Sequence, residues 1–526
     1  MKLYSRKTQV IFCFLSFLFL AGCQNFKGNN PCDPRSNSYS ESFLLKLSQG
    51  GVFDFCGLSV DSDNLGIASW ARTVTRAEKP SRISFLANDM VGNIYGVGII
   101  EGNSEFSFGN QVNATGSFST GTNLYIIKYD SFGNAIWSKT VASGTNNSLF
   151  NSVAVDPSGN VYAAGTISQT GSYNFGNGIT ANGGGAENFL LVKYNANGDA
   201  IWAKSIVSTT NSTNFSTVAV DSLGNVYAAG FLTGAGTYSF GNGVSETITH
   251  SGDTGFLIKY DSSGNTIWVK AVLGSSTDSA FNSVVLDSTG NLVVAGRITG
   301  LSNFDFGSGI TITGKSTFQN LLIAKYTTSG QTVWAKTVES ATNRTVFTAL
   351  TADRLGNTYS GGLTIGSGLV SLGDGVSVNG TFSLNNFLLV KYDSYGITKW
   401  ARSTIEGPEN SIVLGLTSDL RSNVYAAGNI VGTGKYSFGN GISLNGNASD
   451  SNYLLMRFNS DGVPKWARSV VSGNQLTRYF AASTDGFGNL YAGGTIYGNE
   501  VFTFGNRVSA QGAYSAGINQ VLVQYR

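Results

Sequence analysis

The pattern Asp-x-x-(Gly or Ser)-Asn stands at Asp130 and Asp261 and, ahead of a strand such as "VYAAG", in seven further segments of this 526-residue chain, as in "VAVDPSGNVYAAG". The acids of these seven are Asp89, Asp156, Asp221, Asp287, Asp353, Asp419 and Asp485. A carboxylate beside turn residues is the raw material of a calcium loop. Such a loop needs alternating oxygen ligands and a distal Glu. Stretches such as "DSSGNTIW" (261–268) offer one carboxylate and then apolar residues, so the Asp reads as a cap on its own turn amides. His250 is the single histidine, so a metal site built on His clusters is not expected. A Ser-His-Asp triad would rest on that one residue, which reads as a solvated loop histidine. Two-carboxylate chemistry would have to come from the loop acids Glu101, Glu187, Glu246, Asp253 and Glu500, which recur in no paired pattern. No metal and no cofactor is expected.

The elements that carry these residues repeat. The seven tryptophans are Trp70, Trp137, Trp202, Trp268, Trp334, Trp400 and Trp466, spaced 65–67 apart. Each follows a Gly by four residues and precedes a Lys or Arg by two. A period of this kind is the mark of a repeat architecture. A third mark, an aromatic or Leu before Gly, starts at Phe108, Phe175, Phe240, Phe306, Leu372, Phe438 and Phe504. One unit reads as four strands: 151–156 "NSVAVD", 161–167 "VYAAGTI", 189–194 "FLLVKY" and 200–206 "AIWAKSI". The first–second and third–fourth links are tight hairpins whose Gly takes positive φ. The second–third links run about 20 residues and the fourth–first links about 10.

Composition agrees with many short strands and tight turns. Gly is 68 of 526 residues and Pro only 6, while charged residues are 12%. Strands apolar on both faces suit sheets stacked face to face. The expected fold is all-β: a seven-bladed β-propeller of four-stranded antiparallel blades over residues 67–526, with the small "VYAAG" strand near the axis. The chain enters with a lone fourth strand, 67–74, and leaves with three, ending at 521–526. The first strand is expected to complete the last blade and close the ring, removing a free edge. An open solenoid is the alternative.

Residues 1–23 read "MKLYSRKTQVIFCFLSFLFLAGC". Lys2, Arg6 and Lys7 precede an apolar run of about 11 residues, too short to span a bilayer but suited to a signal peptide. "LAGC" resembles the bacterial lipobox, which implies a signal peptide at 1–22 and a diacylglyceryl group on Cys23. Gln24 after the Cys implies, by the enterobacterial sorting pattern, the outer membrane. Residues 23–42 read as a flexible tether and 43–66 as a strap or extra strand. Export to an oxidising compartment makes a Cys32–Cys56 disulfide the expectation, with two free thiols the alternative. The formal charge is +2. Without Lys2, Arg6 and Lys7 it is 2 − 3 = −1, so a nucleic-acid partner is not expected.

The segments "VDxxGNVYAAG" and "LLVKYDxxGNxxW" resemble those of bacterial surface proteins and lipoproteins with seven-bladed propeller (SBBP-type) repeats, over about residues 57–526. The resemblance implies the fold and carries no catalytic residues. The sialidase Asp-box fails to match, because its aromatic follows Gly by three residues and not four. The quinoprotein repeat shares the Gly-to-Trp gap and supports a propeller, not a quinone. The third-strand cations Lys128, Lys193, Lys259, Lys325, Lys391 and Arg457 could form a basic belt for anionic lipid or polysaccharide. They read better as snorkelling, edge-protecting residues.

The expected function is a non-enzymatic, lipid-anchored cell-envelope protein that binds a protein or glycan on its long-loop face, as a surface adhesin if it faces outward. Tyr173, Phe175, Tyr238, Phe240, Tyr436 and Phe438 mark that face, though the Phe of "FGNG" reads better as an anchor of each loop onto its blade. Alternatives are a periplasm-facing scaffold for outer-membrane assembly, like the quinoprotein-like propeller lipoprotein of that pathway, and a carbohydrate-active enzyme.

Overall fold

The computed structural model describes residues 66–206 and 211–526. The chain divides into two units, Met1–Leu65 and Gly66–Arg526, and only the second is described below. Cys23, Cys32, Cys56, the leader, the tether and residues 43–65 lie outside the described residues.

The described residues form strands and no helix. Seven four-stranded antiparallel sheets follow one another along the chain. In the second sheet the strands are Ser148–Val155, Val161–Ser168, Glu187–Tyr194 and Ala200–Ser205, paired in that order. The seventh sheet takes Thr477–Thr484, Leu490–Tyr497 and Ile518–Tyr525 from one end of the unit and Ala68–Thr73 from the other. Ala71 pairs with Val523 and Thr73 with Val521.

The double-faced apolar strands are explained by what lies on each side. In the second sheet Val161, Ala163, Leu190 and Val192 pack with the first sheet. The intervening Tyr162, Ala164, Phe189 and Leu191 pack with the third. Side chains alternate between faces, and both faces find an apolar neighbour. The first strands of successive sheets contact one another. They line one common edge of the sheets, and "VYAAG" is the strand next to it. Ile83 and Leu86 of the first sheet pack with Ala481, Tyr491 and Leu522 of the seventh.

Two kinds of joint hold neighbouring sheets. Each repeat Gly packs against the tryptophan of the preceding sheet, not its own. A Cβ on Gly198 would sit 2.9 Å from the Trp137 ring, and one on Gly264 3.0 Å from Trp202. The same contact joins Gly66 to Trp466 and Gly133 to Trp70. These glycines have φ between 62° and 82°, so both backbone and packing require Gly. The second joint is a hydroxyl latch. The first residue of every first strand is Ser or Thr, and it accepts a hydrogen bond from a third-strand amide of the preceding sheet. Leu124 N donates to Ser148 Oγ at 3.1 Å, Phe189 N to Thr213 Oγ1 at 2.9 Å and Gln520 N to Ser81 Oγ at 3.0 Å.

The second–third links are more than loops. Each contains a short hairpin, such as Gly171–Asn174 with Thr180–Gly183. In six units the fourth–first link bridges to this hairpin, as Ser143 does to Asn174 and Glu406 to Ser437, or as Ser340–Ala341 pairs with Leu369–Ser371 in the fifth. The two long links therefore share one end of the sheets, and the two tight turns share the other.

Candidate functional site at the long-loop end

The repeated polar residues are consumed by the fold. In the first–second turn of the second sheet, Asp156 Oδ1 accepts from Ser158 N and Asn160 N, both at 2.9 Å. Its Oδ2 accepts from Asn160 Nδ2 at 2.8 Å and from the Tyr162 hydroxyl at 3.1 Å. Asp89, Asp221, Asp353, Asp419 and Asp485 have the same set, including their tyrosines. A carboxylate with these donors caps its turn. The fourth sheet departs: Val293 stands where the others have Tyr. There Lys325 Nζ reaches Asp287 Oδ2 at 2.6 Å, with the Asp287 side chain fully buried. Burial pushes Asp287 upward, but the bonds from Lys325, Thr289 and Asn291 outweigh it and hold the carboxyl below the usual range.

The third-strand cations are neither a belt nor edge protection. Lys128, Lys193, Lys259 and Lys391 lie over the tyrosine of their own second strand, 5.1–5.3 Å from the ring centre. Each then donates to a turn carbonyl of the next sheet. Lys193 Nζ meets Ser262 O at 3.0 Å, and Trp202 Nε1 donates to the same oxygen at 3.3 Å. Lys391 and Trp400 converge likewise on Ser460 O. Trp137 and Trp268 donate to Ala196 O and Thr328 O. Burial pulls Lys128 and Lys391 below the usual lysine range. These residues are clasps between sheets.

The aromatics of the long-loop end are inside it, the phenylalanines as loop anchors and the tyrosines with them. Tyr173, Tyr238 and Tyr436 are fully buried, and Phe175, Phe240 and Phe438 nearly so. The hydroxyls of Tyr173 and Tyr436 donate to Ser168 O and Val431 O. Each pair pins its hairpin onto the sheet and presents no ring to solvent.

A further buried group organises the same end. Asn123, Asn188, Asn320, Asn386, Asn452 and Asn519, second residues of their third strands, are at most 1% exposed. The Asn188 Oδ1 accepts from Gly184 N and Gly185 N, and its Nδ2 donates to Gly185 O. The third sheet has Thr254 at this position, and its loop is held differently. His250 is not solvated: its Nε2 lies 2.9 Å from Asp278 Oδ1, and its side chain is 15% exposed. Asp278 Oδ1 also accepts from Asp253 N. Asp253 accepts from the Thr233 hydroxyl and faces Arg297 at 3.4 Å. This junction of the third and fourth sheets is where the polar pattern breaks. Among the described residues no group of three His, Cys, Asp or Glu is placed to hold a metal.

The remaining loop acids are not brought together. Glu101 and Glu187 end and begin strands of different sheets. Glu246 pairs with Tyr238 in a hairpin. Glu500 accepts from Asn474 N and Gln475 N. Between its polar residues the long-loop end exposes several large apolar side chains, among them Leu301, Leu369, Ile405, Val471 and Val501. Phe318 and Leu384 are 55% and 53% exposed. They occupy the position before the third strand in adjacent sheets, where other units have Gly121, Ala186, Gly252, Asp450 and Gly517.

No protein-family profile matches the chain. It is 26% identical, over 215 residues, to an uncharacterised WD repeat-containing protein of Acanthamoeba polyphaga mimivirus. The match covers 36% of this chain and 15% of that relative's length. Among solved structures, U3-55K is similar at 10% identity with a TM-score of 0.44, covering 88% of this chain and all of that one. A Dyadobacter fermentans protein of unknown function is similar at 8% identity with a TM-score of 0.36, over the same shares. The repeated four-stranded antiparallel sheets and the WD repeat-containing relative point to a β-propeller repeat protein.

Proposed function

We propose that the chain is a lipid-anchored, non-enzymatic binding protein of the cell envelope, built as a closed seven-bladed propeller of the SBBP type. Its ligand is a protein held at the long-loop end. Seven sheets with one joint chemistry support the blade count. The Gly66–Trp466 and Gly133–Trp70 contacts, with the Ser81 latch, support closure through Ala68–Thr73. Cys23 is the lipid site and the outer membrane the location in this reading.

The observation that carries the choice of ligand is the pair Phe318 and Leu384. The aromatics that would stack on a sugar are buried, whereas two adjacent sheets put large apolar side chains where the repeat elsewhere is mostly small. Exposed apolar anchors amid polar loops suit a protein partner. A photo-crosslinker at position 318 or 384, in intact cells, is expected to trap an envelope protein, while one at Ile201 on a fourth strand does not. Equal trapping from all three positions would overturn the reading. Protease shaving of intact cells then separates a surface adhesin, which is cut, from a periplasm-facing scaffold, which is spared.

A further inference from the structure

The tight-turn end of the sheets differs from the long-loop end in charge and in what it exposes. Every glutamate among the described residues lies in or beside a long link, from Glu78 to Glu500. The tight turns contain none. Their aspartates are mostly bound to turn amides, and the third-strand lysines and the guanidinium groups of Arg72, Arg402 and Arg468 reach turn carbonyls at this same end.

The fifth, sixth and first sheets also present apolar tips there; the seventh, between them, has the partly buried Phe487 at the same place, and the third carries the exposed Leu223. Leu355 and Leu420 project from first–second turns, and Tyr395 from a third–fourth turn. Met90, Val91 and Phe132 project from the turns of the first sheet. The fifth, sixth, seventh and first sheets are neighbours through the Trp400–Gly462, Trp466–Gly66 and Trp70–Gly133 contacts. The first–second turns of the seventh and first also meet, since a Cβ on Gly92 would lie 3.4 Å from the Phe487 ring. Two exposed arginines adjoin the tips: Arg354 beside Leu355 and Arg421 beside Leu420.

We infer that this arc rests on an anionic phospholipid bilayer. Apolar tips enter the headgroup boundary while adjacent cations meet phosphate, the combination used by interfacial membrane binders. Two observations choose a bilayer over another occupant. The cations beside the tips complement phosphate, with Asp353 and Asp419 of the same turns bound to turn amides, whereas the glutamates opposite would be repelled. The polypeptide also enters the unit here: Ile67 exchanges backbone hydrogen bonds with Arg526 before the fourth strand begins at Ala68. The chain upstream of Gly66 therefore joins the unit at the end that carries the tips. The inference rests on the anchored reading above, and it leaves the long-loop end directed away from the membrane.

The test uses the full chain, reconstituted through its own anchor in phosphatidylglycerol-containing or pure phosphatidylcholine vesicles, with hydroxyl-radical oxidation as readout. Oxidation of Met90, Leu355 and Tyr395 is expected to fall several-fold with phosphatidylglycerol, while Phe318 and Leu384 react as they do in detergent. The double variant Arg354→Glu with Arg421→Glu, both exposed and remote from the core, should lose the protection. Unprotected tips, equal protection on phosphatidylcholine, or protection only in native envelopes would each overturn the inference, the last in favour of a protein partner. The mass of the Cys23 peptide reports the anchor separately. If it carries no lipid, the anchored reading fails, and the same footprint on added vesicles still decides the face.

Discussion

At the scale of single residues, the fourth sheet shows how one substitution redirects its neighbours. With Val293 in place of Tyr, Asp287 loses a hydroxyl donor and Lys325 loses a ring. The two meet at 2.6 Å instead. Replacing Lys325 by Met leaves a buried carboxylate without its cation, and should cost about 3–5 kcal/mol in unfolding free energy. The double variant Lys325→Met with Asp287→Asn should recover much of that loss in denaturant titrations. The pair also sets a pH window. Asp287 is depressed in the folded state, so its contribution is complete above the unfolded value of about 4 and fades as acid titrates the folded carboxyl. Below about pH 4, wild type should lose stability more steeply than the Asp287→Asn variant. The repeated Asp, Gly and Trp were legible because each recurs seven times. The Lys325–Asp287 pair was not, because an absent Tyr shows only once the Tyr–Asp bond is known. His250 was misread for a related reason: its partner Asp278 is 28 residues away in the next sheet's approach loop.

At the scale of elements, strand number and order followed from the alternation of turn signals and apolar runs, and boundaries fell within about three residues of those read from the pattern. The hairpins inside the second–third links were missed. Their strands are three to five residues long and their turns, such as "FGNG", looked like loop composition. The signal was present in the aromatics two residues apart, Tyr173 and Phe175, both facing inward. The latch serine or threonine was also visible in every unit, but a hydroxyl in a Ser/Thr-rich link carries no mark of its role. Ser279→Ala should strand the buried Gly255 amide and cost about 1–3 kcal/mol, whereas Ser276→Ala, in the same link, should change the melting temperature little. Calorimetry of the two variants separates them. The turn glycines make a sharper case. Gly330→Ala forces a left-handed backbone and a Cβ 3.2 Å from the Trp268 ring, so it should destabilise more than Gly290→Ala, whose Cβ would meet nothing within 4 Å.

At the scale of the molecule, the joints between first and seventh sheets repeat those between the others. If they close a ring, Gly66→Ala should destabilise as much as Gly330→Ala, because both press a Cβ onto a preceding tryptophan. An open array would feel the change only at one end. Deleting a whole internal unit is the stronger test. A solenoid loses one unit's worth of stability and still unfolds in similar fashion, whereas a ring must re-form its curvature and should melt far earlier. Ligand identity was the least legible property at every scale. The residues that recur are used internally, and those proposed to bind a partner are single departures that no periodicity reveals.

The pairing of Ala68–Thr73 with Ile518–Tyr525 also has a consequence in time. The Thr73 hydroxyl donates to Gln520 O across 447 positions of sequence. The first strand among the described residues therefore has no edge to join until the last strand has been made. Six sheets can assemble from local hairpins as the chain emerges, but the seventh waits for the final residues. Contacts this distant slow folding, so refolding should show a late phase that a variant lacking residues 66–74 does not have. Until the last strand has arrived, Ala68–Thr73 would stay unpaired beside sheets already formed.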